Sequence, residues 1–116
     1  MSSTEISIVL ITAMANLGMA AADMVRAPFI MANSAEVGVS ERWLLPLAGA
    51  KGAGAVGLIV GLLGPEWIGA LAAAGLVAFF VGALGVHIRA RVFYNLAFPG
   101  AFLGLAIASL IVFLDR

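Results

Sequence analysis

Few side chains in this sequence can do chemistry, and four of them are placed so that they could do it together: Asp23, Lys51, His87 and Arg89. Each is set in apolar sequence, where a charge is costly and is usually paired or functional. An ammonium at Lys51 calls for a partner or water, and Asp23 is the acid best placed to provide it. If the helix around Lys51 began later in the sequence, the side chain could instead snorkel to the interface. Asp23 could also pair with Arg26 at i, i+3 on its own helix. The expected structural ion-pair set is therefore Asp23, Lys51 and Arg26. Asn16, two helical turns before Asp23, lies on about the same face and carries the polar track inward.

His87 is followed by Arg89 and Arg91. The bland reading of the histidine is a hydrogen-bonded residue at an interface, and of the arginines a helix C-terminus meeting lipid phosphate. Together, beside an apolar cavity, they could hold a quinone carbonyl, a phosphate or a carboxylate. Ligand or headgroup binding is accordingly expected at Lys51, His87, Arg89 and Asp23. The sequence has no cysteine, which excludes disulfides, thiolate metal sites and covalent haem attachment on this chain. A lone histidine makes no metal site, and no covalently bound cofactor is expected.

These residues need elements to position them, and composition says what kind. Of 116 residues, 64% are hydrophobic and 10% charged, with a mean hydropathy of +1.17. Soluble domains are about 45–50% apolar and about 25% charged. Lipid is the solvent that suits such a chain. A net charge of zero gives a nucleic-acid partner no electrostatic footprint.

Four apolar stretches approach the roughly 20 residues that cross a bilayer. They run from about Ile6 to Ala22, Leu44 to Leu63, Trp67 to His87 and Leu96 to Leu114. Gly64-Pro65-Glu66 stops the second and starts the third, which predicts a tight antiparallel hairpin. Pro28 should end or bend the first, with a short interfacial helix over Phe29 to Val37, a stop at Gly38 and a cap at Ser40. Pro46 and Pro99 fall early in their helices, where proline does least damage. Asn95 is placed to cap the fourth helix. Glu36 and Glu41, in the first connection, are expected in solvent. Trp43 and Trp67 stand at segment ends, at headgroup level. The expected fold is an all-α membrane protein: one domain over 1–116, a four-transmembrane-helix antiparallel bundle with a short interfacial helix between helices 1 and 2. Ala20-Ala21-Ala22 before Asp23 imitates a signal-peptidase site, but no Lys or Arg precedes the apolar run, so helix 1 is expected to be retained.

Helices in lipid associate through close packing of small residues. Gly57 with Gly61, and Gly100 with Gly104, form G-x-x-x-G pairs expected at helix packing faces. An alternative use of such a face is docking a partner subunit. Alternating the helices puts Arg26, Arg42, Arg89 and Arg91 at one end and Arg116 at the other. Positive residues favour the cytoplasmic side, so a multi-pass protein of the cell membrane with both termini non-cytoplasmic is expected.

The run N-L-G-M-A-A-A-D-M-V-R-A-P (16–28), the stretch L-A-G-A-K-G-A-G-A-V-G-L-I-V-G around Lys51, and A-A-A-G-L-V-A-F-F-V-G-A-L-G-V-H-I-R-A-R ending at Arg91 resemble the DoxX-like family of small four-helix membrane proteins. The resemblance covers nearly the whole chain and includes no catalytic signature. It implies a four-helix fold, with relatives described as subunits of membrane oxidoreductase systems, including thiosulfate:quinone oxidoreduction. The leading expectation is an accessory or anchoring subunit of a membrane oxidoreductase complex, in contact with quinone or lipid and with other membrane subunits or further copies of itself. The alternatives are a quinone-site enzyme in its own right, or an oligomeric small-molecule transporter. Small multidrug exporters depend on a glutamate in helix 1, and none lies between Ile6 and Ala22. Vitamin K epoxide reductase-like chemistry requires cysteines.

Overall fold

A computed structural model describes residues 1–115; Arg116, counted above in the charge asymmetry, lies outside the described residues. The chain forms α1 (Ser3–Met24), α2 (Pro28–Glu36), a 3-10 turn (Glu41–Trp43), α3 (Leu44–Leu63), α4 (Glu66–Arg89) and α5 (Ala97–Leu114), with no strand among the described residues. The four long helices are α1, α3, α4 and α5, and each has an 18-residue window of mean hydropathy between 1.5 and 2.3. Only 22–33% of each window is buried, and large apolar side chains such as Ile11, Leu71 and Ile111 are more than half exposed. Water would oppose this and acyl chains accept it. The long dimension of 40 Å matches a bilayer, whose hydrocarbon and headgroup layers together span about 40–45 Å.

Each boundary has a local cause. At the start of α1, Ser2 and Glu5 form a reciprocal capping box, with Ser2 Oγ accepting from the Glu5 amide at 3.1 Å and Glu5 Oε1 from the Ser2 amide at 2.9 Å. α1 ends where Arg26 turns left-handed, at φ 53°. Pro28 opens α2 in the first turn, where its missing N–H is not needed. Gly38, at φ 76°, then makes a turn that a residue with a Cβ would enter only with strain. The start of α3 departs from expectation. Ser40 offers no side-chain cap; its carbonyl accepts from the Trp43 amide at 3.0 Å, and the 3-10 turn runs directly into the helix. Asn95 likewise does not cap α5. Backbone bonds close the turn before α5, which frees the Asn95 side chain for another partner.

The helices pack in the ring α1, α3, α4, α5, each beside the next, with α5 closing on α1. Val9, Ala13, Ala55, Leu58, Ala73, Leu76 and Phe80 form its centre. The α3–α4 contact is closest where side chains are missing. A Cβ added at Gly61 would stand 2.5 Å from the Cα of Gly69, and one at Gly57 would stand 2.6 Å from the Cβ of Ala72. Gly100 and Gly104 differ from their expected role. A Cβ at either meets nothing within 4 Å, because α5 packs through Ala106, Ser109, Val112 and Phe113 and turns its glycines away.

A second polar element lies deep between α1 and α5. Ser109 Oγ donates to Thr12 Oγ1 at 2.9 Å, the Thr12 hydroxyl donates to the Ile8 carbonyl at 2.8 Å, and Asn16 Nδ2 donates to the Thr12 carbonyl at 2.9 Å. All three side chains are fully buried. The Ser109–Thr12 bond ties α5 to α1 where apolar contact alone has little directionality, and the other two hold the polar side chains to α1's own backbone.

Candidate ligand-binding site

At the end of the bundle away from the termini, α2 and the long helices together line an opening. The space beneath α2 is a cavity of about 680 Å³ with walls from all four long helices. That is within the range of small-molecule sites, and like them it is mostly apolar with a few polar groups. Phe29, Phe79, Phe80, Phe98 and Phe102 give it aromatic surface.

Lys51 and Asp23 supply its charge. Lys51 is the eighth residue of α3, about 10 Å along the axis at roughly 1.5 Å per residue. Its Nζ donates to Asp23 Oδ2 at 2.7 Å, and the two side chains are 11% and 3% exposed. The ammonium also stands 5.4 Å from the centre of the Phe79 ring, a cation–π distance. An ammonium has three N–H donors and a carboxylate two acceptor oxygens. Among the described residues, Asp23 Oδ2 is the only hydrogen-bond partner of Nζ. Donor capacity on Lys51 and acceptor capacity on Asp23 are left at the cavity wall.

Arg26 is not part of this pair. The left-handed backbone at Arg26 breaks the i, i+3 register with Asp23, and its Nη1 lies 3.3 Å from Glu41 Oε1, with both side chains more than half exposed.

His87 lines the cavity and is buried, but both ring nitrogens already have partners. Nδ1 donates to the Ala83 carbonyl at 2.8 Å, and Nε2 lies 3.3 Å from Asn33 Oδ1. Asn33 Oδ1 also accepts from Asn95 Nδ2 at 3.0 Å. Sequence reasoning gave Asn33 no role, and a lone asparagine in a short apolar helix offered little signal. The Tyr94 hydroxyl donates to Glu36 Oε1, so Glu36 is not merely solvated. The hydrogen bond to the Glu36 carboxylate, then desolvation, then its negative charge, raise the Tyr94 phenol above its ordinary value.

Arg89 parts from the other three expected site residues. It is exposed and lines a separate recess of about 380 Å³ with Arg42, Trp43 and Ser40. The Arg42 guanidinium stands 5.6 Å from the Trp43 ring. Two guanidinium groups without an acidic partner among the described residues make this recess cationic. Among the described residues no cluster of three or more His, Cys, Asp or Glu could hold a metal.

The buried Asp23–Lys51 pair and the histidine at the end of α4 stand in the sequence blocks that carry the resemblance noted above. The family model of the DoxX-like family matches residues 7–109 of the 116. The chain belongs to the DoxX-like family. The match takes in Asp23, Lys51, His87 and Arg89, and it runs from α1 into α5, so this DoxX-like chain has the family's sequence pattern across all four spans. No curated protein and no solved structure matches it significantly.

Proposed function

We propose that this DoxX-like protein is a small membrane-embedded binding subunit whose cavity holds a lipophilic molecule with a hydrogen-bonding head, of quinone type, as an accessory component of an oxidoreductase-type assembly. The observation that carries the reading is the cavity beneath α2, apolar and aromatic over most of its wall, with the Lys51–Asp23 pair set into it. An isolated structural ion pair would gain nothing from an adjoining cavity. A ligand carbonyl can accept from Lys51, and a ligand hydroxyl can donate to Asp23. In this reading both termini lie on the non-cytoplasmic side, and the positive residues around the cavity end support that orientation. Membrane lipid is a further partner, its phosphate meeting Arg42 and Arg89 in the smaller recess.

The test is equilibrium binding of a short-tailed quinone to the purified protein in nanodiscs, beside purification from native membranes with identification of co-purifying chains. Saturable binding that is lost in the Asp23→Asn/Lys51→Met double variant is expected, together with at least one stoichiometric membrane partner. Absence of saturable binding in the unaltered protein would remove the ligand, and recovery of the chain alone would remove the accessory role.

A further inference from the structure

His87 is the only histidine of the chain, and its ring nitrogens face unlike partners. The Ala83 carbonyl at 2.8 Å from Nδ1 can only accept, so Nδ1 carries a hydrogen whether the ring is charged or neutral. The proton that comes and goes is therefore on Nε2. With the ring charged, Nε2–H donates to Asn33 Oδ1, the orientation described above. With the ring neutral, Nε2 is a lone pair, and only an N–H can face it.

An amide exchanges its oxygen and nitrogen by a half-turn. Asn33 can thus answer a neutral His87 by presenting Nδ2. Asn95, which donates to the same atom of Asn33, must then turn as well and present its oxygen. Asn95 Oδ1 is buried without a hydrogen-bond partner among the described residues, so its turn breaks no other bond. The second amide atom of Asn33 also has no hydrogen-bond partner among the described residues, and the residue lines the cavity. That atom is an N–H donor when His87 is charged and an oxygen acceptor when it is neutral.

We propose that the proton on His87 Nε2 sets, through Asn33, which form of a lipophilic carbonyl/hydroxyl couple the cavity holds more tightly: the carbonyl form when the ring is charged, the hydroxyl form when it is neutral. This rests on the ligand class proposed above and adds its selection. His87 is a positioning residue that need not touch the ligand. No covalent step is involved; one proton is taken up or released at Nε2. The other titratable groups around the cavity are paired off: Asp23 of α1 with Lys51 of α3, and Glu36 of α2 with Tyr94 of the α4–α5 connection. From α5 the lining is Phe98, Pro99 and Phe102. His87 is the titratable group there without an ionisable partner.

The experiment uses the full chain in nanodiscs with ¹⁵N-labelled histidine, titrated anaerobically with a short-tailed quinone and with its quinol. Measurements are made at two pH values chosen so that the ring spectrum shows Nε2 protonated at the lower and deprotonated at the higher. Raising the pH should weaken quinone binding about tenfold and strengthen quinol binding about tenfold, the size of one hydrogen bond made or left unmade. The ring spectrum should keep Nδ1 protonated throughout while Nε2 changes. Asn33→Asp, an acceptor at both oxygens, should favour quinol at both pH values; Asn33→Leu should bind both forms without pH dependence. If quinone and quinol respond to pH in parallel, or if the opposed response survives in Asn33→Leu, the relay is overturned while the binding function stands. If neither form binds saturably at either pH, the binding function itself fails and the relay with it.

Discussion

Lys51 Nζ lies 2.7 Å from Asp23 Oδ2, a single contact that spans 28 residues of sequence and ties α3 to the last turn of α1. Stranding one member of a buried pair costs roughly 3–5 kcal/mol, more than losing both. Asp23→Asn and Lys51→Met should therefore each lower the thermal midpoint in detergent, and the double variant should recover part of the loss. Additive losses would mean that the two charges are not coupled.

The α3–α4 hairpin should be intolerant of bulk at one residue and indifferent at another. Gly61→Ala places a methyl 2.5 Å from the Cα of Gly69, backbone that cannot swing aside, and overpacking of this kind costs about 1–3 kcal/mol. Gly104→Ala, with nothing within 4 Å, should leave stability unchanged. Comparable unfolding profiles for the two variants would contradict the packing described.

Tyr94 is the only tyrosine, so its ionisation can be followed by phenolate absorbance without interference. The phenol is raised above its ordinary value of 10.0, which means that the folded state favours the protonated form. That contribution to stability is fully present below about pH 10 and is lost as pH rises through the raised folded value. The absorbance midpoint should lie above 10.0 and fall in Glu36→Ala. A midpoint unmoved by that change would break the link between Tyr94 and Glu36.

Orientation is testable without purification. A reporter active only outside the cytoplasm, fused to the C-terminus, should be active, and a cytoplasmic reporter should be silent. The opposite pattern would invert the protein in the membrane and leave the bundle as it is.

The long-range pattern was legible because it rests on strong local signals. α3 runs from Leu44 to Leu63 as the apolar run and the Gly64-Pro65 break require, and α4 and α5 agree to within two residues. The Asp23–Lys51 contact was legible too, since two opposite charges at similar depth in lipid have few other partners. What escaped depends on single backbone torsions and on helix rotation. Arg26 is turned away by a positive φ that no glycine announces, while Gly100 and Gly104 have a packing motif on a face that another part of α5 makes unnecessary. Asn33 and Asn95 meet only after α2 is laid over the cavity, across 62 residues of sequence.

Phe113 bears on how the molecule is made. Its ring rests against Gly69, where an added Cβ would fall 2.5 Å from the ring, and beside Gly61, where one would fall 2.9 Å from it. The notch that receives the ring is cut jointly by α3 and α4, so it exists only once those two helices have met. A ribosome delivers the chain from its N-terminus, and α5 leaves last. Its socket can therefore be assembled before it arrives, and the closing helix can find its register by seating one aromatic ring between two glycines.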